Sequence, residues 1–329
     1  MRRAIAKEIW RATQELGPPP RYYAVLLFDG DEMGRWLAGE KSPAVGDILH
    51  PRLRAYFEGL DGTSKGLEAS RPLGPARHAA ISEALANFAL YAVPTIVARH
   101  HGTLIYAGGD DVLALSPSKL ALACCRELRL SFAGDPSVNG GATDGFYRHN
   151  DGDRLMMGSR ATASAGLAVV HHKEDLRFAL NTARRAEREA KDSGRDILRI
   201  TACRRSGEHV STLCPWGFVE EVQRWVRAFT DGASDRWAYH LRGGLDTLAG
   251  LPVEAMRAEI YRQVERSEED TRRRLRGDAE SAGGALTTAF ERYRAAITQP
   301  SRGNTDAEAL CQFVSLCQTA SFFARGGRA

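Results

Sequence analysis

The chain has 329 residues, 43% of them hydrophobic and 26% charged, and carries a net charge of +4. That length suits one large or two ordinary domains of a globular protein, and the mild charge admits a nucleic-acid partner without arguing for one. No uninterrupted apolar run approaches the roughly 20 residues of a membrane span, and the basic N-terminus lacks the apolar segment of a signal peptide.

Residues 1–16 read as a short basic amphipathic helix with Ile5, Ile9, Ala12 and Leu16 on one face, ended by Gly17-Pro18-Pro19-Pro20. Residues 22–28 (YYAVLLF) form a nearly continuous apolar run, the pattern of a strand covered on both faces, and it ends at Asp29-Gly30-Asp31. A short helix is expected over 33–38. The Gly-, Pro- and Ser-rich stretch 42–75 reads as a loop-dominated insertion. Residues 77–100 place Ile81, Leu85, Phe88, Ala92 and Ile96 at helical spacing, with Pro94 expected to kink the helix.

The next stretch is the most informative. Residues 103–107 and 112–115 are short apolar runs flanking Gly108-Gly109-Asp110-Asp111, a β-hairpin pattern whose glycines supply positive φ. Two adjacent carboxylates at a hairpin tip are ordinary loop chemistry when met alone. Strand, helix and hairpin together make a right-handed crossover with an antiparallel return. That topology brings Asp29, Asp110 and Asp111 to the same edge of the sheet. Clustered carboxylates repel one another unless a cation lies between them. Such clusters serve two-metal phosphoryl or nucleotidyl transfer, with Mg2+ or Mn2+ as the hard cation.

A further amphipathic helix is expected at 118–132, a long polar loop at 134–159, a strand at 162–171, an Arg-rich helix at 174–191 and a strand at 196–201. Residues 21–202 then form an α+β, ferredoxin-like β-α-β-β-α-β sheet with one α-β appendage. From about Cys203 helical periodicity dominates, through 219–229, 252–264, 286–297 and 307–324. The reading divides the chain into an N-terminal helix and linker (1–20), the ferredoxin-like domain (21–203) and an α-helical domain (204–329). Residues 266–276 mix signs and read as a solvated helix face, or else as a basic edge for RNA or protein. Six cysteines without a C-x-x-C pair read as reduced, mostly buried thiols of a cytoplasmic protein. The histidine pairs His100-His101 and His171-His172 lie at element ends and read as structural or surface.

Residues 190–196 (AKDSGRD) add a helix end carrying Lys191 and, after a Gly turn, Arg195. A mobile point charge beside a rigid fork suits a triphosphate tail, although cations at a helix C-terminus also answer the helix dipole.

The strand ending in Asp, the G-G-D-D hairpin and A-K-D-S-G-R-D resemble the palm of GGDEF-type nucleotide cyclases. More closely, YYAVLLFDGDEMGRWL, AISEALANFAL, LIYAGGDDVLAL, SAGLAVVHHK and the ending FVSLCQTASFFARGGR resemble the large polymerase-like subunit of type III-B CRISPR–Cas effector complexes. The resemblance implies conversion of ATP into cyclic oligoadenylates when the complex binds target RNA. It implies Asp29, Asp110 and Asp111 as metal-binding catalytic carboxylates, Gly30 as a backbone ligand and Asp31 as a helper. Gly108 and Gly109 would line the nucleotide, Lys191 and Arg195 would hold its triphosphate, and Ser82 and Asn87 are candidate base-pocket residues, with plain helix polarity as their other reading.

The resemblance further implies partners: other subunits of the ribonucleoprotein, crRNA and target RNA indirectly, and a second palm, with no membrane. Family members carry a histidine–aspartate nuclease domain and a first palm upstream, and the chain has no His-Asp dipeptide. The chain is therefore expected to be a piece of a larger subunit or a compact form completed by dimerising. Two other readings stay open: a different cyclase, such as one making cyclic dimeric guanylate, and a nucleotide-binding scaffold without turnover.

Overall fold

The computed structural model describes residues 20–138, 143–150 and 152–326. The helix expected over residues 1–16 lies outside them. The frame is a six-stranded sheet in the order β2-β3-β1-β6-β7-β8. Its strands are β1 (Tyr22–Gly30), β2 (Thr103–Gly108), β3 (Asp111–Pro117), β6 (Ala163–His171), β7 (Ile197–Cys203) and β8 (His209–Pro215). β1 pairs antiparallel with β3 on one side and with β6 on the other. The order β2-β3-β1-β6 is that of a ferredoxin-like sheet, and β7 extends it parallel to β6.

Alternation along β1 sorts its side chains. Ala24, Leu26 and Phe28 enter the large core, and Val25 enters a smaller core on the opposite face, with Tyr23 and Leu27 packed against it. The large core is built on aromatic contacts, with Phe28 at 5.7 Å from Phe88, 5.8 Å from Phe132 and 6.4 Å from Trp216. β6 is buried at every residue, as a central strand covered on both faces must be.

After β1 come α1 (Met33–Leu37), α2 (Val45–Ile48), α3 (Pro51–Glu58) and α4 (Ser64–Glu68). The stretch expected to be a loop-dominated insertion thus holds three short helices. Pro51 starts α3 at a position where its missing N–H costs nothing. α5 (Pro75–Asn87) and α6 (Val93–Arg99) are joined by a π turn at Phe88–Ala92. That turn absorbs Pro94 without a break, and the Thr95 hydroxyl donates to the Tyr91 carbonyl at 2.7 Å. The 25 residues Pro75–Arg99 are apolar and long enough to cross a bilayer by length and composition. Here their apolar side, including Phe88, Ala92, Ile96 and Val97, packs into the large core under the sheet.

α7 (Ser118–Ala133) lies on that same face. The long polar segment after it, expected to be a loop, folds back as a two-stranded ribbon of β4 (Phe146–His149) and β5 (Gly152–Leu155). Its apolar residues, Phe146-Tyr147 and Leu155-Met156-Met157, fall in contiguous clusters, so no periodicity of two shows in the sequence. α8 (Leu176–Asp192) covers the opposite face of the sheet, presenting Ala179, Ala183, Ala186 and Ala190 as its buried stripe. Small side chains let α8 lie close, and Gly166 on β6 lets it lie closer still. A Cβ there would overlap the Ala183 carbonyl and the Glu187 amide nitrogen.

β8 is an addition that the sequence pattern does not reveal. It pairs antiparallel with β7 from Ile197↔Pro215 to Cys203↔His209, so the sheet runs past residue 203. The helices that follow are α9 (Val219–Thr230), α10 (Arg236–Gly243), α11 (Leu245–Leu248), α12 (Val253–Glu265), α13 (Glu269–Arg276), α14 (Ala282–Ile297) and α15 (Asp306–Gly326). α13 buries Thr271 and Leu275, leaves Arg273 and Arg276 in solvent and half-buries Arg272 and Arg274, so the mixed-charge stretch is solvated on one side only. These helices share one continuous core with the sheet, and the Tyr293 hydroxyl donates to the Leu213 carbonyl on β8 at 2.8 Å. Five cysteines are buried and unpaired, and Cys311 is exposed.

Candidate active site

β1 ends and the β2–β3 hairpin turns at the same edge of the sheet. Gly108 pairs with Asp111, so the turn proper is Gly109-Asp110. Gly109 adopts φ +80° and Asp110 does not have positive φ, the pattern of a turn with glycine at its first central position. Gly30 brings the two segments into contact. A Cβ on Gly30 would stand 2.8 Å from the Asp110 Cβ and 3.1 Å from its Oδ2. Gly108 is covered by the Tyr106 ring, and Gly109 faces only the Leu85 Cβ at 3.8 Å, leaving open space above the turn.

Burial, then repulsion from Asp29, holds the Asp110 and Asp111 carboxyls above the ordinary carboxylate range, and Lys191 partly offsets this. Lys191, at the end of α8, is the positive member. Its Nζ lies 2.9 Å from Asp29 Oδ2 and 2.8 Å from Glu187 Oε1. Burial opposes its charge, but hydrogen bonds to Glu187 and Asp29 outweigh that and raise its pKa. No sequence motif marks Glu187. It sits one helical turn before Lys191, a spacing shared by many surface pairs.

Asp31 stands apart from the three carboxylates. It is 2% exposed. It accepts from the Ser164 hydroxyl at 2.7 Å and the Asp196 amide at 3.0 Å. Both oxygens are therefore engaged, one on β6 and one on the loop after α8. That loop is strained: Gly194, Arg195 and Asp196 have φ of +94°, +62° and +48° in succession. Left-handed backbone costs a non-glycine residue about 1–2 kcal/mol and persists only where the surroundings enforce it.

Three side chains enforce it here. Besides Asp31, Arg129 of α7 holds the Asp196 carboxylate at 2.9 Å. Arg302 donates to the Ser193 and Asp196 carbonyls, each at 3.2 Å. Arg302 comes from the turn between α14 and α15, and its Cγ would lie 2.9 Å from a Cβ on Gly194. Sequence reasoning missed Arg302, because 107 residues of chain separate it from Arg195 and no local pattern marks it. Arg302→Ala leaves two carbonyls without partners and should destabilise the chain by about 2–3 kcal/mol, read from urea midpoints. The held loop presents Arg195, which is exposed and makes no ion pair among the described residues.

The two base-pocket candidates part company. Ser82 is exposed on α5, one turn before Leu85. Asn87 is buried, and its amide donates to the Leu155 carbonyl at 3.1 Å, tying α5 to the β4–β5 ribbon. Each histidine pair has one inner and one surface member: His100 Nε2 lies 2.7 Å from Glu127 Oε2 while His101 is exposed, and buried His171 stacks on exposed His172.

Among the described residues no three acidic, His or Cys side chains already stand together as metal ligands. The three aspartates nevertheless fit a hard divalent cation. They bring three carboxylates to one sheet edge, Asp110 and Asp111 are held above the ordinary carboxylate range by burial and by repulsion from Asp29, and Mg2+ usually fills its remaining positions with water and phosphate oxygens. A consequence can be measured without any cation. A pKa raised by folding means that ionising the group costs stability, so the cost is absent at low pH and grows as pH rises through the raised values. The Asp110→Asn/Asp111→Asn variant should therefore gain on the parent in urea stability from about pH 4 to pH 7. A pH-independent difference would contradict this.

The model of the family Cas10/Cmr2, second palm domain, matches residues 22–199. The CRISPR system Cmr subunit Cmr2 of Pyrococcus furiosus is 34% identical over 270 residues, covering 79% of this chain and 28% of the relative. The CMR subunit Cmr2 of Saccharolobus solfataricus is 33% identical over 123 residues, 36% of this chain and 11% of the relative. The chain thus spans under a third of either relative's length. Among solved structures, the apo state of the type III-B Cmr-beta complex matches with a TM-score of 0.55 at 16% identity, covering 82% of this chain and 37% of that one, a likeness of fold.

Proposed function

The chain belongs to the Cas10/Cmr2 family, through a second palm domain over residues 22–199, and from that premise we propose that it carries a metal-dependent nucleotidyltransferase site that joins ATP into 3′–5′ linked, cyclic oligoadenylates. The observation that carries this reading is the meeting of Asp29, Asp110 and Asp111 at one sheet edge with Lys191 bridging to Asp29. Asp29, Asp110, Asp111 and the Gly30 carbonyl would hold Mg2+ or Mn2+. When bound, the metal supplies Lewis-acid activation of a ribose 3′-hydroxyl and charge stabilisation of the leaving pyrophosphate. Lys191 and Arg195 hold the triphosphate tail, Lys191 moving from Asp29 to phosphate when substrate and cation arrive. The open turn at Gly109 lets the nucleotide approach the carboxylates beside Gly108, and Ser82 lies on the nearby helix α5. Asp31 acts at one remove, by fixing the loop that presents Arg195.

We take residues 21–203 as the palm and 204–329 as the helical domain, whose first strand, β8, extends the palm's sheet. A second palm is needed to supply the other nucleotide, from further chain, a partner subunit or a second copy. The setting is a cytoplasmic type III-B effector complex, with crRNA and target RNA acting through the other subunits.

The test is incubation of the chain with ATP and Mg2+ or Mn2+, with products read by mass spectrometry and the other three nucleotides run alongside. Linear or cyclic oligoadenylates that require the cation support the proposal. Dimeric guanylate would assign a different cyclase. ATP bound without turnover would leave a nucleotide-binding scaffold, a reading favoured by Lys191 already occupying Asp29.

A further inference from the structure

At the opposite end of β1 from the aspartates lies a second concave site, with a volume of about 300 Å3. Seven residue steps at ~3.3 Å put Tyr22 roughly 23 Å from Asp29 along the strand, so no single nucleotide can serve both places. Its walls are three arginines, Arg204, Arg205 and Arg325, and three aromatic rings, Tyr22, Tyr239 and Phe322. No carboxylate lines it.

Each part is held in place. The Tyr22 ring is fixed edge-on by His171 at 5.2 Å and by Phe322 at 4.9 Å. The Arg204 guanidinium lies over the Tyr239 ring at 5.9 Å and pairs with Glu208 at 2.7 Å. Arg325 is anchored on Asp235, which is 4% exposed and also accepts from the Ser321 hydroxyl at 2.6 Å. The β7–β8 turn, closed by Gly207 at φ +87° and the Gly207 amide to Arg204 carbonyl bond, holds Arg205 at its tip. Arg205 is exposed and makes no ion pair among the described residues. Tyr239 is 39% exposed, so a flat group can reach it. The local field is positive: burial, then His172, Arg205, Lys173 and Arg21, push the His171 imidazole below its ordinary value.

Fixed rings beside arginines, with no carboxylate lining the cavity and Arg205 outside any ion pair among the described residues, are what a nucleotide needs, the base stacking on an aromatic face and the phosphate taken by guanidinium. We propose that this site binds a nucleotide unit, a base with its phosphate, separately from the aspartate site. The unit can come from a single-stranded RNA or from a free nucleotide.

The experiment is fluorescence polarisation of the whole chain with a labelled ten-nucleotide single-stranded RNA, across a salt series. Tyr239→Ala should weaken binding about tenfold, because stacking is lost. Tyr239→Phe keeps the ring and should bind as the parent does, and it controls for folding. Arg205→Ala should reduce the slope of log affinity against log salt by about 0.7, the share of one phosphate contact on a single strand. Asp110→Ala/Asp111→Ala should leave binding unchanged, which separates this site from the aspartates. Displacement of the RNA by ATP, with the same sensitivity to Tyr239→Ala, assigns a free nucleotide, and no displacement assigns the strand. Binding unaffected by Tyr239→Ala and Arg205→Ala overturns the proposal.

Discussion

With Asp110 and Asp111 both replaced by alanine, ATP turnover by the chain is expected to fall by at least ~10³-fold, a barrier increase of about 4 kcal/mol. The reason is that these two carboxylates and Asp29 would hold the cation whose charge stabilises the reaction. Stability should move the other way or not at all. Burial and repulsion from Asp29 hold both carboxyls above their usual pKa, so removing them relieves a cost. Mass spectrometry of products beside a thermal melt of the same preparation checks both halves. A variant that loses turnover and also melts early would mean that the aspartates support the fold rather than the chemistry. The same pair gives a readout that needs no turnover: Mg2+ should raise the melting temperature of the parent and not that of the double variant.

Gly166→Ala should be the most damaging single methyl group in the sheet. Gly166 lies on β6, opposite Leu27 on β1 and Arg199 on β7. Its missing side chain is where the α8 backbone passes, so an added Cβ overlaps the Ala183 carbonyl and the Glu187 amide nitrogen. Backbone on both sides cannot yield as a side-chain tip can. The helix must lift, at a cost on the order of 3 kcal/mol, the upper part of the range for overpacking. Because α8 carries Glu187 and Lys191, the same displacement should weaken nucleotide binding. Urea unfolding measures the first effect, and ATP titration of the folded fraction measures the second. A Gly166→Ala chain within about 0.5 kcal/mol of the parent would show that α8 does not lie where we place it.

The residues recognised from local pattern and those that were not differ in kind. The apolar run of β1, the glycines between β2 and β3 and the helical spacing in α5 to α8 are short-range signals, because strand, turn and helix each impose their own period or dihedral on neighbouring residues. They sufficed for the ferredoxin-like order β2-β3-β1-β6 and for Asp29 meeting Asp110 and Asp111, since a right-handed crossover leaves few other ways to close the sheet. The short helices of 42–75, the β4–β5 ribbon and β8 left no such trace. Each is brief, and each is stabilised by what it packs or pairs with rather than by its own pattern.

The site divides along the same line. Sequence by itself marked the aspartates, Gly30, Lys191 and Arg195, because their chemistry is written in contiguous motifs. Only the tertiary structure decided that Asp31 turns inward to Ser164 and Asp196 and that Asn87 ties α5 to β5. It likewise decided that Glu187 shares Lys191 with Asp29, and that Arg302 from the far end of the chain holds the Arg195 loop in its left-handed form. Those assignments depend on which buried polar groups find partners, and hydrogen bonds across 106 and 109 residues have no local signature, only the cost of leaving donor and acceptors unmet.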